Sequence, residues 1–249
     1  MHEIRQEKMN RFIQEREAVS IKELQALFPD VSLMTIHRDL DALAAAGRIT
    51  KVRGGARSVR HERDLAFEVR AQENLAGKAQ VAEKAAALVK QESCIFLDSG
   101  TTCLTLARLL PDSPLTVITT GPNIALTLAR VAGPAVTMCP GNLNKENLTV
   151  SGYSTLQFLE TINIDLAFIG VSGYGKEEGF TCGKESEMMV KRQIIKQARK
   201  SVVLCDQTKF RRLMPFTFAK LEDVDFVVSD GTPTDDFRQA VATAGAVLL

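Results

Sequence analysis

The sequence predicts an α/β protein in two parts: a small helical head, then a larger domain built on a doubly wound, mainly parallel sheet. Three observations predict it. From about residue 81 onward, seven short apolar runs alternate with helix-forming stretches. The first 60 residues carry helix-period apolar stripes instead. A Gly54-Gly55 pair lies between two short strand-like segments at the end of the head. A chain of 249 residues is long enough for one large domain or two smaller ones.

In the head, residues 4–15 read as a helix with Ile4, Phe12 and Ile13 on its inner face. "SIKE" at 20–23 is a capping box, with Ser20 accepting from the first-turn amides and Glu23 reaching back. It opens a helix through Leu24, Leu27 and Phe28, which Pro29-Asp30 ends. Ser32 then caps a third helix, 33–46. At about 100° per residue, Leu33, Ile36, Leu40 and Leu43 form one stripe. Met34, Thr35, Arg38 and Asp41 point the other way, with His37 on the flank. Gly47 supplies the left-handed C-terminal stop. "RITKVRGGARSVR" gives two short strands around the glycine pair of a tight hairpin. Helix, helix, turn, helix and basic hairpin make the outline of a winged helix-turn-helix domain, residues 1–60.

Residues 61–80 are charged and read as a partly helical connector. The second domain, 81–249, holds the runs "CIFLD" (94–98), "LTVIT" (115–119), "AVTMC" (135–139), "DLAFIG" (165–170), "SVVLC" (201–205), "DFVVS" (225–229) and "AVLL" (246–249). Near-continuous apolar strands separated by helices mean a parallel sheet covered on both faces.

Composition narrows the classes. The chain is 45% hydrophobic and 24% charged, as ordinary globular proteins are. No apolar run approaches the roughly 18 residues of a membrane span, and the charged N-terminus carries no export signal. A cytoplasmic protein without a membrane partner is expected. Cys94, Cys103, Cys139, Cys182 and Cys205 are scattered, with no CxxC pair, and read as reduced core thiols. Net charge is only +1, yet residues 48–63 hold six Lys/Arg against one acid, Glu62. Such a strip is either a solvated loop or a nucleic-acid footprint.

In doubly wound sheets, ligands bind beyond the carboxyl ends of the strands. "LDSGTTCLTLA" delivers Asp98 from a strand and turns through Ser99, Gly100, Thr101 and Thr102 into a helix. Free amides, hydroxyls and a glycine there suit phosphate, and Asp98 suits sugar hydroxyls. "TTGPN" adds Thr119, Thr120, Gly121 and Asn123; "PGNLN" adds Gly141; "GVSG" adds Ser172. "CDQTKF" places Asp206 and Lys209 at a late strand end, with Lys209 a positive partner for phosphate. Glu187 is a further candidate, although its spacing of four from Lys191 reads as a surface pair. The set favours a small polyhydroxylated phosphate.

Chemistry is less evident. His2, His37 and His61 all precede the second domain, which excludes a histidine triad there and argues against a His-ligated metal. No GxSxG, Walker or GxGxxG motif occurs. No catalytic residue, metal or cofactor is assigned. An acid/base enzyme using Asp98, Asp206 or Glu187 with Lys209 stays open, but nothing in the sequence tunes these groups and an isomerase needs no winged helix.

Residues 5–13 with "SLMTIHRDL" (32–40) and the wing "VRGGA" (52–56) closely resemble the signature of DeoR-type transcriptional regulators. The resemblance continues through "DSGTT" (98–102), 119–123, "PGNL", Gly152, "DLAFIGVSG", "ESEMMVKR" and "DQTKF", covering essentially the whole chain. His37, Arg53, Thr120, Pro122 and Pro140 depart from the family's usual residues. The resemblance implies a repressor of sugar-metabolism genes. Its effector domain would be similar to ribose-5-phosphate isomerase and glucosamine-6-phosphate deaminase and would sense a phosphorylated sugar.

A helix-turn-helix places the start of its second helix in the major groove of double-stranded operator DNA. Arg38 then grips guanine or phosphate, Met34 or Thr35 meets a thymine methyl, and His37 lies alongside. Ser20, Ser32 and Thr35 bond the DNA backbone, while Lys51, Arg53 and Arg57 hold phosphates from the wing. Asp39 and Asp41 are expected to pair with nearby cations. A homodimer or homotetramer would space the heads. Two rivals remain: a sugar-phosphate isomerase or deaminase with a DNA-binding head, and a regulator sensing a partner protein or nonphosphorylated ligand.

Overall fold

The computed structural model describes residues 2–16, 18–46, 48–58, 67–231 and 233–249. In the head, α1 (His2–Arg16), β1 (Ala18–Ser20), α2 (Ile21–Leu27), α3 (Leu33–Ala45), β2 (Ile49–Val52) and β3 (Gly55–Ser58) follow in order. Their core is Met9, Ile13, Val19, Leu24, Ile36, Leu40, Leu43, Ile49 and Ala56. Both predicted caps form: Ser20 and Glu23 exchange the two bonds of a capping box, and Ser32 accepts from the Thr35 amide. The wing turns at Arg53-Gly54, with Val52 opposite Gly55 and Gly54 at φ +84°. The sequence did not announce β1, which pairs antiparallel with β3. A β-carbon at Gly55 would overlap the Val19 carbonyl oxygen, so only glycine admits that third strand.

Two expectations in the head need correction. Ile4 is 75% exposed, and α1 turns Met9 and Ile13 inward instead, with Phe12 at the core's margin. Leu33 is also exposed, because the first turn of α3 overhangs the small core. The buried place that the stripe left unassigned belongs to Asp39. The expected stop at Gly47 lies outside the described residues.

The larger domain opens with α4 (Phe67–Gln72) and α5 (Leu75–Ala86). Then come β4 (Cys94–Leu97), α6 (Thr101–Ala107), β5 (Leu115–Thr119), α7 (Pro122–Leu128) and β6 (Pro134–Met138). A hairpin of β7 (Asn142–Asn144) and β8 (Thr149–Ser151) precedes α8 (Tyr153–Glu160) and β9 (Ile164–Gly170). The chain continues through β10 (Gly173–Gly175), β11 (Gly179–Cys182), α9 (Glu185–Gln197), β12 (Ala198–Leu204) and β13 (Phe216–Ala219). It closes with β14 (Phe226–Val228), α10 (Asp235–Thr243) and β15 (Val247–Leu248).

All seven predicted runs become the strands of one sheet, ordered β15-β14-β12-β9-β4-β5-β6, and every adjacent pair is parallel. Successive residues feed opposite faces. Ile95, Leu97, Val117, Phe168, Val202 and Leu204 pack under α4–α7, whereas Phe96, Ile118, Ala167, Ile169 and Val203 pack under α8–α10. That double burial is why the strands read as unbroken apolar runs. From β4 the chain builds outward to β6, and from β9 it builds the other way to β15. The loops after β4 and β9 therefore part at a topological switch point, where a crevice is expected. A second small sheet, β10-β11-β13, is antiparallel.

Candidate functional site

On the head, Met34, His37, Arg38, Lys51, Arg53 and Arg57 are all exposed. Ser32 and Thr35 are committed first to the helix cap, their hydroxyls 2.9 Å apart. Ser20 likewise serves its own capping box, donating from its hydroxyl to Glu23 at 2.8 Å. The two acids of α3 find the expected cations. Asp39, wholly buried, accepts from Arg5 Nε at 2.6 Å and Gln6 at 3.1 Å, which ties α3 to α1. Asp41 pairs with Lys51 at 2.6 Å, both exposed. Lys51 thus reaches a phosphate only by leaving Asp41, whereas among the described residues Arg38, Arg53 and Arg57 make no such pair.

At the switch point of the sheet lies a cleft. Asp98, Ser99, Gly100, Thr101 and Thr102 line one wall from the turn after β4; Gly170, Val171 and Ser172 line the other after β9. Glu187 and Lys191 enter from α9, Lys209 from the turn after β12, Asn147 from the β7–β8 hairpin and Arg70 from α4. Glycine at 170 helps the walls approach: a β-carbon there would stand 3.3 Å from Asp98 Oδ2, a tight contact, whereas one on Gly100 would meet the Gly170 α-carbon at an ordinary 3.7 Å. Three cations and two carboxylates face this space, with threonine and serine hydroxyls between them. No side chain caps the start of α6 at Gly100.

Lys191 is not the surface partner of Glu187 that the spacing suggested. It is 7% exposed, its ammonium donating to the Asp98 carboxylate and to the Gly170 carbonyl at 2.8 Å. Gly170 N–H donates to Asp98 Oδ2 at 3.0 Å, which stitches the two walls together. Burial alone would lower the Lys191 pKa, but Asp98 outweighs it and the value is raised above 10.5. Asp98 is therefore a structural anion as well as a ligand candidate.

Six candidates do not line the cleft. Thr119 is fully buried, donating to the Leu97 carbonyl at 2.7 Å and accepting from Gly121 N–H. Thr120 is buried beside it. Gly121 is needed for its tight approach to Ser99, and Asn123 sits in the first turn of α7. Gly141, at φ +144°, shapes the entry to the β7–β8 hairpin against Thr155. Asp206 lies beneath Lys209, at 3.8 Å, and holds the turn after β12 through Thr208 and Asn74. Burial would raise its pKa; Lys209 and these hydrogen bonds prevail and lower it.

Sequence reasoning missed Lys191, Arg70 and Asn147. Arg70 had a visible signal: Phe67 and Ala71 are four apart in the charged connector and both pack into the sheet's core. Behind them Lys78 is 1% exposed, its ammonium donating to the carbonyls of Arg70 and, at 2.5 Å, Glu73. Burial and nearby Lys209 bring its pKa down to about 8. Burial pushes the Cys139 and Cys182 thiols up to about 12, so neither is a nucleophile at neutral pH. Among the described residues, no cluster of His, Cys, Asp or Glu is placed to hold a metal. No helix among them is long and apolar enough to cross a membrane.

Comparison with known proteins covers both halves of this layout. The model of a DeoR-like helix-turn-helix domain matches residues 5–62, and that of a DeoR C terminal sensor domain matches 73–231. The chain is 33% identical over 228 residues to the HTH-type transcriptional regulator GolR of Listeria innocua, covering 91% of this chain and 89% of the other. It is 31% identical to the HTH-type transcriptional regulator GlpR of Haloferax volcanii, covering 88% and 86%. With the HTH-type transcriptional repressor GlcR of Bacillus subtilis it shares 29%, covering 96% and 92%. Among solved structures, ribose 5-phosphate isomerase A of Methanocaldococcus jannaschii aligns over 55% of each chain at 20% identity and TM-score 0.40. A probable sor operon regulator of Shigella flexneri aligns over 55% of this chain and 77% of its own, at 12% and 0.38.

Proposed function

Because the chain belongs to the DeoR family of helix-turn-helix transcriptional regulators, we propose that it represses a carbohydrate-metabolism operon and releases its operator when a phosphorylated sugar fills the cleft. It is a DNA-binding regulator, not an enzyme. Repression is favoured by relatives named as repressors, GlcR and a putative aga operon repressor of Escherichia coli. The observation that carries the effector reading is the cleft: a hydroxyl-lined turn, Asp98–Thr102, faces Lys209 and Arg70 at the switch point of the sheet. Cations recognise the phosphate, and carboxylates and hydroxyls recognise a polyol.

In this reading, residues 1–60 grip DNA, 61–80 connect, and 81–249 sense, with Arg70 lending a contact from the connector. Paired heads in a homodimer or homotetramer meet two half-sites in the cytoplasm, where the operator lies. The shift the ligand causes is no larger than its preference for the released state. The test is a gel-shift assay of the full chain on the DNA upstream of its own gene at low ionic strength, with phosphorylated and unphosphorylated sugars added. Retardation relieved only by a phosphorylated sugar, and insensitive to it in D98A, is expected. No retardation at all would overturn the operator half. Relief by the unphosphorylated sugar alone would overturn the phosphate half and favour the nonphosphorylated-ligand reading.

A further inference from the structure

Asn147 occupies the turn between β7 and β8, is 4% exposed, and lines the cleft. Its amide NH2 donates to Glu187 Oε1. Because a carboxylate only accepts, that bond fixes which way the amide points and leaves Oδ1 as its remaining acceptor. Among the described residues nothing donates to Oδ1, although it is buried. A buried acceptor without a donor costs stability, and each such group calls for a reason. The next residue, Leu148, holds φ +50°, a conformation that branched side chains rarely adopt. Strain of that kind persists where the surroundings impose it, often at ligand clamps and switches.

The residue on the other side, Glu146, is not among those that line the cleft. The Glu146 carbonyl accepts from Phe67 N–H at 2.8 Å, the first amide of α4. Phe67 itself is 5% exposed and anchored in the sheet's core. In the sequence, residues 59–66 separate Phe67 from Ser58 at the end of the wing. One short turn therefore touches the cleft through Asn147 and the start of α4 through Glu146.

We propose that Asn147 is a ligand contact whose Oδ1 accepts a sugar hydroxyl, and that the 145–148 turn passes occupancy of the cleft to α4. This rests on the sugar-phosphate reading above. An acceptor beside a carboxylate repels phosphate oxygens, so Asn147 and Glu187 mark the polyol end of the ligand. The phosphate end belongs to the 98–102 turn, Lys209 and Arg70.

The experiment is calorimetric titration of the full chain with fructose 6-phosphate, glucose 6-phosphate, ribose 5-phosphate and inorganic phosphate. N147A should weaken the best sugar phosphate by about tenfold, the worth of one hydrogen bond, while barely changing inorganic phosphate. Equal weakening of both probes, or of neither, overturns the contact and leaves the sugar-phosphate reading standing. Failure of the wild-type chain to bind any probe overturns both. Hydrogen exchange on the wild-type chain needs no substitution: the saturating sugar phosphate should change protection at 145–148 and at the α4 amides together. Unchanged α4 amides would sink the relay.

Discussion

Replacing Lys191 by methionine isolates the pair that holds the two walls of the cleft together. Both side chains are nearly buried, at 8% and 6% exposure, so the ammonium is the counter-ion of Asp98 where little of either charge meets water. Removing one partner of a buried pair costs about 3–5 kcal/mol, because the remaining charge is left uncompensated. Here Asp98 keeps the Gly170 amide at 3.0 Å, which places the cost at the low end, about 3 kcal/mol. For a domain of this size each kcal/mol lowers Tm by about 2–4 °C, so K191M should melt about 6–12 °C lower. The double variant D98N/K191M removes both charges and should recover more than half of that loss, since neutral, well-packed replacements for buried pairs are close to isoenergetic. Differential scanning calorimetry of the full chain reads the transition of the α/β domain. A K191M transition within about 1 °C of the wild type would refute the reasoning. So would a double variant as unstable as the single one, since the cost would then lie in packing rather than charge.

Arg38→Ala should weaken binding to the cognate operator by roughly 1–3 kcal/mol while sparing random DNA if Arg38 reads a base; equal loss on both in gel shifts would make it a phosphate contact. Neutralising Arg53 or Arg57 should weaken all DNA alike and flatten the salt dependence by about one phosphate's worth each; an unchanged slope would exclude the wing from the interface. Asp206 has a folded pKa below its ordinary 3.8, so its contribution is present above 3.8 and is lost as pH falls through the folded value. D206N should therefore unfold less steeply than wild type in acid titrations below that point; identical slopes would remove Asp206 as the cause. Gly55→Ala should destabilise the head by well over about 1 kcal/mol and abolish retardation of DNA, because the new methyl meets the Val19 carbonyl. Normal DNA binding by that variant would show that β1 need not dock there.

How far the sequence reads depends on whether an element's environment repeats along the chain. The seven sheet strands are buried on both faces, so each is a run that composition reveals. The strands of the small sheet and the hairpin are only three or four residues long; Gly173–Gly175 and Asn142–Asn144 are mostly glycine and asparagine, and the alternation in Phe216–Ala219 is too short to announce a strand. Leu33 was placed on the correct side of α3 by angle, but angle says nothing of where a small core ends. The turn after β4 was legible as a site because hydroxyls and glycine cluster locally. Lys191 was not, because its meaning comes from Asp98, which is 93 residues away. A lysine four from a glutamate has the same spacing on a surface as in a core. Asn147 is likewise defined by two distant residues, Glu187 and, through Glu146, Phe67.

The cleft's contacts divide by whether they can carry a signal. Turning an operator from nearly full to nearly empty requires the ligand to prefer the released state by about 10⁴, or about 5.5 kcal/mol. A contact made equally in both states raises affinity and shifts nothing. The 98–102 wall is fixed to β9 by Lys191 and the Gly170 amide, so its contacts are the same whichever way the head lies. Arg70 is different: it sits on α4, whose first amide is held by Glu146, while Lys78 clasps the Arg70 carbonyl and that of Glu73 just beyond the helix. Ser99→Ala should accordingly raise the concentration of sugar phosphate needed for release while leaving the extent of release at saturation unchanged. Arg70→Met should lower the extent itself, even when calorimetry shows the cleft filled. If Arg70→Met merely shifts the release curve to higher ligand without lowering its plateau, α4 is a passive wall and the signal leaves the cleft by another route.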